Sequence, residues 1–244
     1  ILPSQGDYWQ STRGGGHGDY RLLVLAPSTV QEAVELVIQA FDLADKYRNP
    51  IMIVGDGLIG QMMEPVDFDS VPKAEPVDHS DWAVGISTGR KPHLVKTLYL
   101  NSEQAEELNQ KLDKKYKAMK EHERRCELYQ LDDDPELVLV AFGTTARVCK
   151  SAVDEMRAEG IKVGLFRPIT LFPYPDVELK EVSERAGVRE FLVVEMSLGQ
   201  MIEDVRLATK DKKPIHFYGR QGGIVPSPEE VIEQVKKLMK AEVA

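Results

Sequence analysis

The chain has 244 residues, enough for one large domain or two ordinary ones with a core that needs no covalent staples. Hydrophobic residues at 42% and charged residues at 29% are globular proportions and exclude wholesale disorder. With 31 Lys plus Arg against 40 Asp plus Glu, the formal net charge of -9 argues against nucleic acid as a partner, because such binding draws on basic surfaces that meet phosphates. No apolar run approaches the roughly 18 residues of a membrane span, and no charged-then-apolar leader stands at the start. Cys126 and Cys149 are too few for a disulfide framework or a four-thiolate iron–sulfur site, which makes a reducing cytoplasm the expected location. The opening Ile1-Leu2-Pro3 lacks a Met, so the chain is expected to be a processed or truncated piece.

In chain order, residues 21–26 (RLLVLA) predict a short buried strand. Ser28 with Gln31, or Thr29 with Glu32, then offers a capping box. Apolar residues at Val30, Ala33, Val34, Val37, Ile38, Phe41 and Ala44 make a helical stripe that ends near Arg48-Asn49-Pro50. Residues 51–54 predict a second buried strand, and strand–helix–strand of this length implies a parallel pair. Residues 65–92 are rich in Pro, Asp and Gly, with Trp82 and Ile86 as anchors, and read as a loop-rich crossing. Ser102 is expected to cap a long charged helix that runs to about Tyr129, its narrow stripe lying along a surface. After the break at residues 131–135, strands are predicted at 137–142, 162–166, 191–195 and 215–218. Helices alternate with them at 145–159, 176–185, 199–207 and 228–241, the last with Ser227 as cap and Pro228 in its first turn. That alternation describes a doubly wound α/β domain.

Three stretches could carry chemistry. Gln10 to Tyr20 contains Gly14, Gly15 and Gly16 between Arg13 and His17, followed by Gly18 and Asp19. A phosphate cradle needs a helix N-terminus after the glycines, whereas this run feeds a strand. Glycines also let a ligand or a second backbone approach closely, with Arg13 available for a carboxylate, His17 for proton transfer and Asp19 to orient it. A flexible surface turn explains the same residues equally well. The second stretch, 217–227 with Arg220, is read as a turn returning the chain to its last helix. The third, Arg167-Pro168-Ile169-Thr170-Leu171-Phe172-Pro173-Tyr174-Pro175, is expected to be an ordered loop whose Phe172 and Tyr174 pack on a neighbouring domain or subunit. The five histidines have no metal-ligand spacing, and neither a nucleophile elbow nor a Walker loop is present. Glu195 and the Glu203-Asp204 pair serve equally as cap and surface residues or as an acid/base pair.

The segments GDYWQSTRGGGHGDYRLLVLAPSTVQE, KYRNPIMIVGDGLIGQMMEPV, LFRPITLFPYP, VVEMSLGQMIEDVR and YGRQGGIVPSPEEV run in order through the chain. Together they resemble the α subunit of 2-oxoacid:ferredoxin oxidoreductases, most closely the 2-oxoisovalerate (branched-chain) type. The resemblance implies an α/β chain in which residues 1–76 are the later part of a thiamine diphosphate pyrimidine-side domain. Residues 77–134 would be a connector with the charged helix, and 135–244 a doubly wound transketolase C-terminal-like domain.

It further implies oxidative decarboxylation of a 2-oxoacid to its acyl-CoA with reduction of ferredoxin. Thiamine diphosphate and Mg would be shared with a partner subunit, and the iron–sulfur clusters would lie in partner subunits only. Other subunits of the complex would be direct partners, with ferredoxin and coenzyme A reached through it. Arg13, Gly14, Gly15, Gly16, His17 and Asp19 would lie near substrate or cofactor, and Phe172, Tyr174 and Arg220 at an interface. The glutamate that activates the cofactor would precede Ile1, so no catalytic residue is assigned here and no metal ligand is expected. Two alternatives remain at this point: a non-catalytic assembly module, and a flavodoxin-like binding domain in residues 135–244.

Overall fold

The structure is a computed structural model that describes residues 1–73, 77–85, 92–133 and 135–241. Its elements are α1 (Tyr8–Arg13), β1 (Leu23–Leu25), α2 (Val30–Tyr47), β2 (Ile51–Ile53), α3 (Ser102–His122), β3 (Cys126–Tyr129), β4 (Leu137–Val140), α4 (Gly143–Ala158), β5 (Val163–Pro168), β6 (Thr170–Phe172), α5 (Asp176–Glu184), β7 (Glu190–Glu195), α6 (Met201–Thr209), β8 (Ile215–Gly219) and α7 (Pro228–Ala241). No described helix is both long and apolar enough to cross a membrane.

The larger sheet has the order β3-β5-β4-β7-β8, parallel except for the antiparallel edge strand β3. Successive residues of a strand face opposite ways, and β4 shows the result. Val138 and Val140 join a core with α5 and α6 residues such as Leu179, Val182, Met201 and Val205. Leu137 and Leu139 join another with Cys149, Val153 and Met156 of α4 and Val231 and Val235 of α7. Helices on both faces of a mostly parallel sheet make this the expected doubly wound domain. The start of α7 is fixed as the sequence reads: Ser227 N–H donates to Glu230 at 3.0 Å while Glu230 N–H donates back to the Ser227 hydroxyl at 3.3 Å.

The smaller sheet has the order β2-β1-β6. β1 and β2 are parallel as expected, with α2 across Leu23 and Leu25. The cap of α2 is Thr29, whose hydroxyl accepts from Glu32 N–H at 3.0 Å. Three expectations fail here. β2 is only half-buried, because it is the edge of its sheet. Val37 and Phe41 of the expected α2 stripe are exposed, and Leu36 and Leu43 are buried instead. The proline-rich 167–175 stretch is not an irregular loop: Thr170–Phe172 forms β6, antiparallel to β1. Prolines at 168 and 173 flank that strand without interrupting its paired residues.

The charged helix also ends earlier than its composition suggests. Asn101, not Ser102, caps it, accepting from Gln104 N–H at 3.0 Å. It stops at His122, and residues expected to continue it form β3 against β5. The buried Glu123 marks the change, taking hydrogen bonds from Lys46 Nζ and the Tyr47 hydroxyl, both at 2.7 Å. The 65–92 stretch carries no helix or strand among its described residues, and Ile86 lies outside them.

The two parts exchange strands across the break at 131–135: β3 precedes it and joins the larger sheet, while β6 follows it and joins the smaller one. Tyr8, Val24 and Ala26 accordingly sit in the same core as α5 and α6. Arg167 bolts this arrangement. Its side chain is 6% exposed, forks onto Glu32 at 2.8 and 2.9 Å, and donates through Nε to Glu127 at 2.6 Å. Removing one partner of such a pair strands the others. Because both carboxylates keep some solvent contact, Arg167→Ala is expected to cost about 2–4 kcal/mol. A urea midpoint equal to wild type would show that the bridge contributes nothing. Burial pushes the Glu127 carboxyl up, but Lys150 and Arg167 outweigh it and hold the group below the usual carboxylate range. Its contribution is therefore complete above the ordinary glutamate pKa of about 4.3 and fades as pH falls through the depressed folded value. Melts from pH 6 down to 3 should show a loss that Glu127→Gln reduces.

Candidate functional site

The first thirteen residues carry the glycine-rich segment to its place. In an open sheet of this topology, the crevice at the carboxyl ends of the strands where chain direction reverses is the usual ligand site. Here that place lies beyond β4 and β7, and Gln5, 5% exposed, occupies it. Its amide donates to Phe142 O at 2.8 Å, its carbonyl accepts from Met196 N–H at 2.8 Å, and its own N–H donates to Met196 O at 2.9 Å. The neighbouring N-terminus of α4 is taken as well, with Asp56 accepting from Thr144 N–H at 3.3 Å. The flavodoxin-like reading of residues 135–244 fails on this ground, because the chain's own residues fill the crevice that reading needs.

From Gln5 the chain enters α1, a helix not expected from the residues alone. Six residues are too few to show a stripe, and the available signal was Gly14, whose positive φ of 73° and N–H to Gln10 O at 3.2 Å end the helix. Tyr8 is buried, and its hydroxyl donates to Asp204 of α6 at 2.6 Å. Burial, then the Asp204 charge, pushes the Tyr8 phenol well above its ordinary range and keeps it protonated. Arg13 forks onto the same carboxylate, with both contacts at 3.0 Å. Burial works against its charge, but Asp204 outweighs that and the guanidinium stays charged. Asp204 is therefore neither a plain surface residue nor one of an acid/base pair with Glu203; it clamps α1 to α6. Glu195 proves to be a cap: fully buried, it accepts N–H bonds from Gln200, Met201 and Ile202 at 3.0–3.1 Å.

The sequence places Arg13 where a substrate carboxylate could use its fork; the structure gives that fork to Asp204. Arg13 still lines a cleft of about 360 Å³ with Arg21, Lys120, Phe172, Tyr174 and Asp204. Beyond it, Gly14–Asp19 forms a projecting loop in which Gly14, Gly16, His17 and Gly18 all have positive φ. A Cβ on Gly16 would meet nothing within 4 Å, so its glycine answers to backbone conformation and leaves open space around the tip. His17 and Asp19 are exposed, and His17 makes no hydrogen bond among the described residues. Arg13 and His17 thus occupy different places, one in the clamp and one at the tip.

The three residues assigned to an interface are engaged within the chain. Phe172 and Tyr174 pack against the core shared by both sheets, covered by residues from before the 131–135 break. Arg220 ion-pairs with Glu230 at the start of α7 and reaches the Tyr218 hydroxyl at 3.4 Å. Among the described residues no group of three His, Cys, Asp or Glu side chains could hold a metal ion. Both cysteines are free thiols: burial pushes Cys126 up to about 11 and Cys149 well above its ordinary range. The open loop offers backbone groups and an imidazole in free space, which is compatible with an organic group such as thiamine diphosphate.

Two family models match the chain in succession. Residues 1–127 match the model of pyruvate flavodoxin/ferredoxin oxidoreductase, thiamine diP-binding, and residues 135–231 match pyruvate:ferredoxin oxidoreductase core domain II. The chain belongs to the pyruvate flavodoxin/ferredoxin oxidoreductase family, as an α-like subunit. It is 45% identical over 98% of its length to the ketoisovalerate oxidoreductase subunit VorB of Methanothermobacter thermautotrophicus, and spans 66% of that relative. It is 31% identical over 95% of its length to the 2-oxoglutarate synthase subunit KorA of Methanocaldococcus jannaschii, covering 67% of it. Its fold is that of a 2-oxoglutarate:ferredoxin oxidoreductase from Magnetococcus marinus, with a TM-score of 0.77 at 19% identity, covering 97% of this chain and 45% of that one.

The clamp generates a direct test. Hydrogen bonds to a charged partner contribute about 1.5–3 kcal/mol. Tyr8→Phe should lower stability by an amount of that order, and Asp204→Ala by more, since it also releases Arg13. Their double variant should lose less than the sum, because both remove the same bond. Additive losses in denaturant melts would show that the two residues act separately.

Proposed function

We propose that this chain serves as a subunit of a thiamine diphosphate-dependent 2-oxoacid:ferredoxin oxidoreductase. The enzyme would convert a branched-chain 2-oxoacid and coenzyme A to the acyl-CoA and carbon dioxide, passing two electrons to ferredoxin. The observation that carries the substrate class is the 45% identity to a ketoisovalerate oxidoreductase subunit, against 31% to a 2-oxoglutarate synthase subunit over comparable lengths. When bound, the cofactor supplies the carbanion stabilisation that decarboxylation requires. Partner subunits would hold the iron–sulfur clusters, since two cysteines cannot supply four thiolates. Mg with the cofactor's diphosphate would likewise be bound mainly by a partner, in a cytoplasmic complex.

In this reading Gly14–Asp19 is the chain's contribution to the shared site. The glycines admit the cofactor or a partner backbone, and the His17 imidazole, without a hydrogen-bond partner among the described residues, meets substrate or cofactor. Arg13 supports the loop from the clamp below. Kinetics of the assembled complex test the assignment: kcat/KM for 2-oxoisovalerate should exceed that for 2-oxoglutarate by about 10-fold or more, a difference of roughly 1.4 kcal/mol in transition-state binding. Equal or reversed preference would overturn the branched-chain reading. The purified chain by itself should be colourless and inactive, and visible iron–sulfur absorption from it would contradict the proposed division of labour.

A further inference from the structure

We propose that Tyr20 and Arg21 are positioning residues that hold the Gly14–Asp19 loop in the one conformation that presents His17. The inference rests on the reading that His17 meets substrate or cofactor in the assembled enzyme.

Tyr20 has no evident task in the core, being 39% exposed. Its contacts are with the loop itself. The hydroxyl accepts from Gly15 N–H at 2.5 Å, and a Cβ on Gly14 would come within 3.0–3.2 Å of the ring and its oxygen. The phenol therefore fills the inside of the turn, and Gly14 is what permits the ring to lie so close. Arg21 closes the neck. Its Nη1 donates to Arg13 O at 3.3 Å and to Tyr20 O at 3.0 Å, one carbonyl just before the loop and one just after it. The same guanidinium stands 5.9 Å from the Phe172 ring centroid, which ties the neck to β6. Two bonds at the neck and one inside the turn make a closed frame around six residues.

The frame bears on a backbone conformation that is uncommon for a residue with a Cβ. His17 has a φ of 54°, between Gly16 at 77° and Gly18 at 139°. A side chain with a Cβ is disfavoured in this left-handed region, and nothing at the tip compensates it locally. Such a residue persists when its surroundings over-determine the backbone, and conformations of this kind cluster where a side chain must be aimed. Here the surroundings are Tyr20 and Arg21. The Tyr20 hydroxyl holds the turn, and the Arg21 guanidinium holds the neck against β6 while the residue's backbone carbonyl accepts from Asn49, so an effect of either side chain on chemistry would pass through His17.

The test uses the full-length subunit in the assembled complex. Tyr20→Phe keeps the ring and removes the bond to Gly15. Arg21→Lys keeps the charge and can serve only one of the two carbonyls well. Hydrogen–deuterium exchange of the peptide spanning residues 13–19 should accelerate about 3- to 10-fold in each variant, the factor expected from one modest hydrogen bond, while exchange in the β4 and β7 peptides stays at wild-type values. kcat should fall by a similar factor with KM little changed, and in a His17→Ala background Tyr20→Phe should cost nothing further. Unchanged exchange in both variants would overturn the proposal, as would kcat losses that add to that of His17→Ala. If His17→Ala itself has wild-type kinetics, the reading of the loop as part of the active site fails, and exchange alone then decides whether Tyr20 and Arg21 set its conformation.

Discussion

The buried guanidinium of Arg167 is the constraint on which the two-sheet arrangement depends. It leaves β5 of the larger sheet and grips Glu32 on α2, beside the smaller sheet. Glu32 is itself held, accepting from Ser28 N–H and Oγ at 2.7 and 3.0 Å. A charge this deeply placed is tolerable only when its donors are satisfied, so Arg167 admits few relative placements of α2 and β5. The exchanged strands follow from the same requirement. β6 begins two residues after Pro168, and with β5 fixed against α2 it has β1 within reach as a pairing edge.

The regular part of this architecture was legible in the residues because local and global preferences agree there. β4, β5 and β7 are short apolar runs buried on both faces, and Ser227-Pro228-Glu229-Glu230 is a helix start whose every member acts locally. The misreadings fall where tertiary contacts override local signals. Cys126 to Tyr129 follows a helix without Gly or Pro to mark a break, and only the free edge of β5 makes it a strand. Thr170 to Phe172 sits among prolines, and only β1 gives it a ladder. The exposed Val37 and Phe41 fit the helical period perfectly well; period does not say which part of an apolar arc faces the sheet.

The site was legible as composition and not as geometry. Three glycines between Arg13 and His17 announced that a backbone would need room, and Gly16 has it. That Arg13 would be taken by Asp204 could not be read, because 191 residues separate them and no local pattern links the two. Tyr20 and Arg21 were seen as the end of the glycine run and the start of a strand, yet their hydrogen bonds close the loop. Residues that shape a loop from its base carry no compositional mark, because their partners are backbone groups that no sequence pattern displays.

Gln5 and the loop tip belong to one short length of chain. Seven residues separate Gln5, seated beyond β4 and β7, from Arg13 at the foot of the loop, and most of that interval is α1, clamped to α6 through Asp204. Such a segment behaves as a rigid spoke, with its hub in the doubly wound domain and its rim at His17. Small rotations of that domain would carry the imidazole with them and need no flexing of the loop. A crevice that in such folds ordinarily receives a ligand is here the seat of the segment that carries the glycine-rich loop.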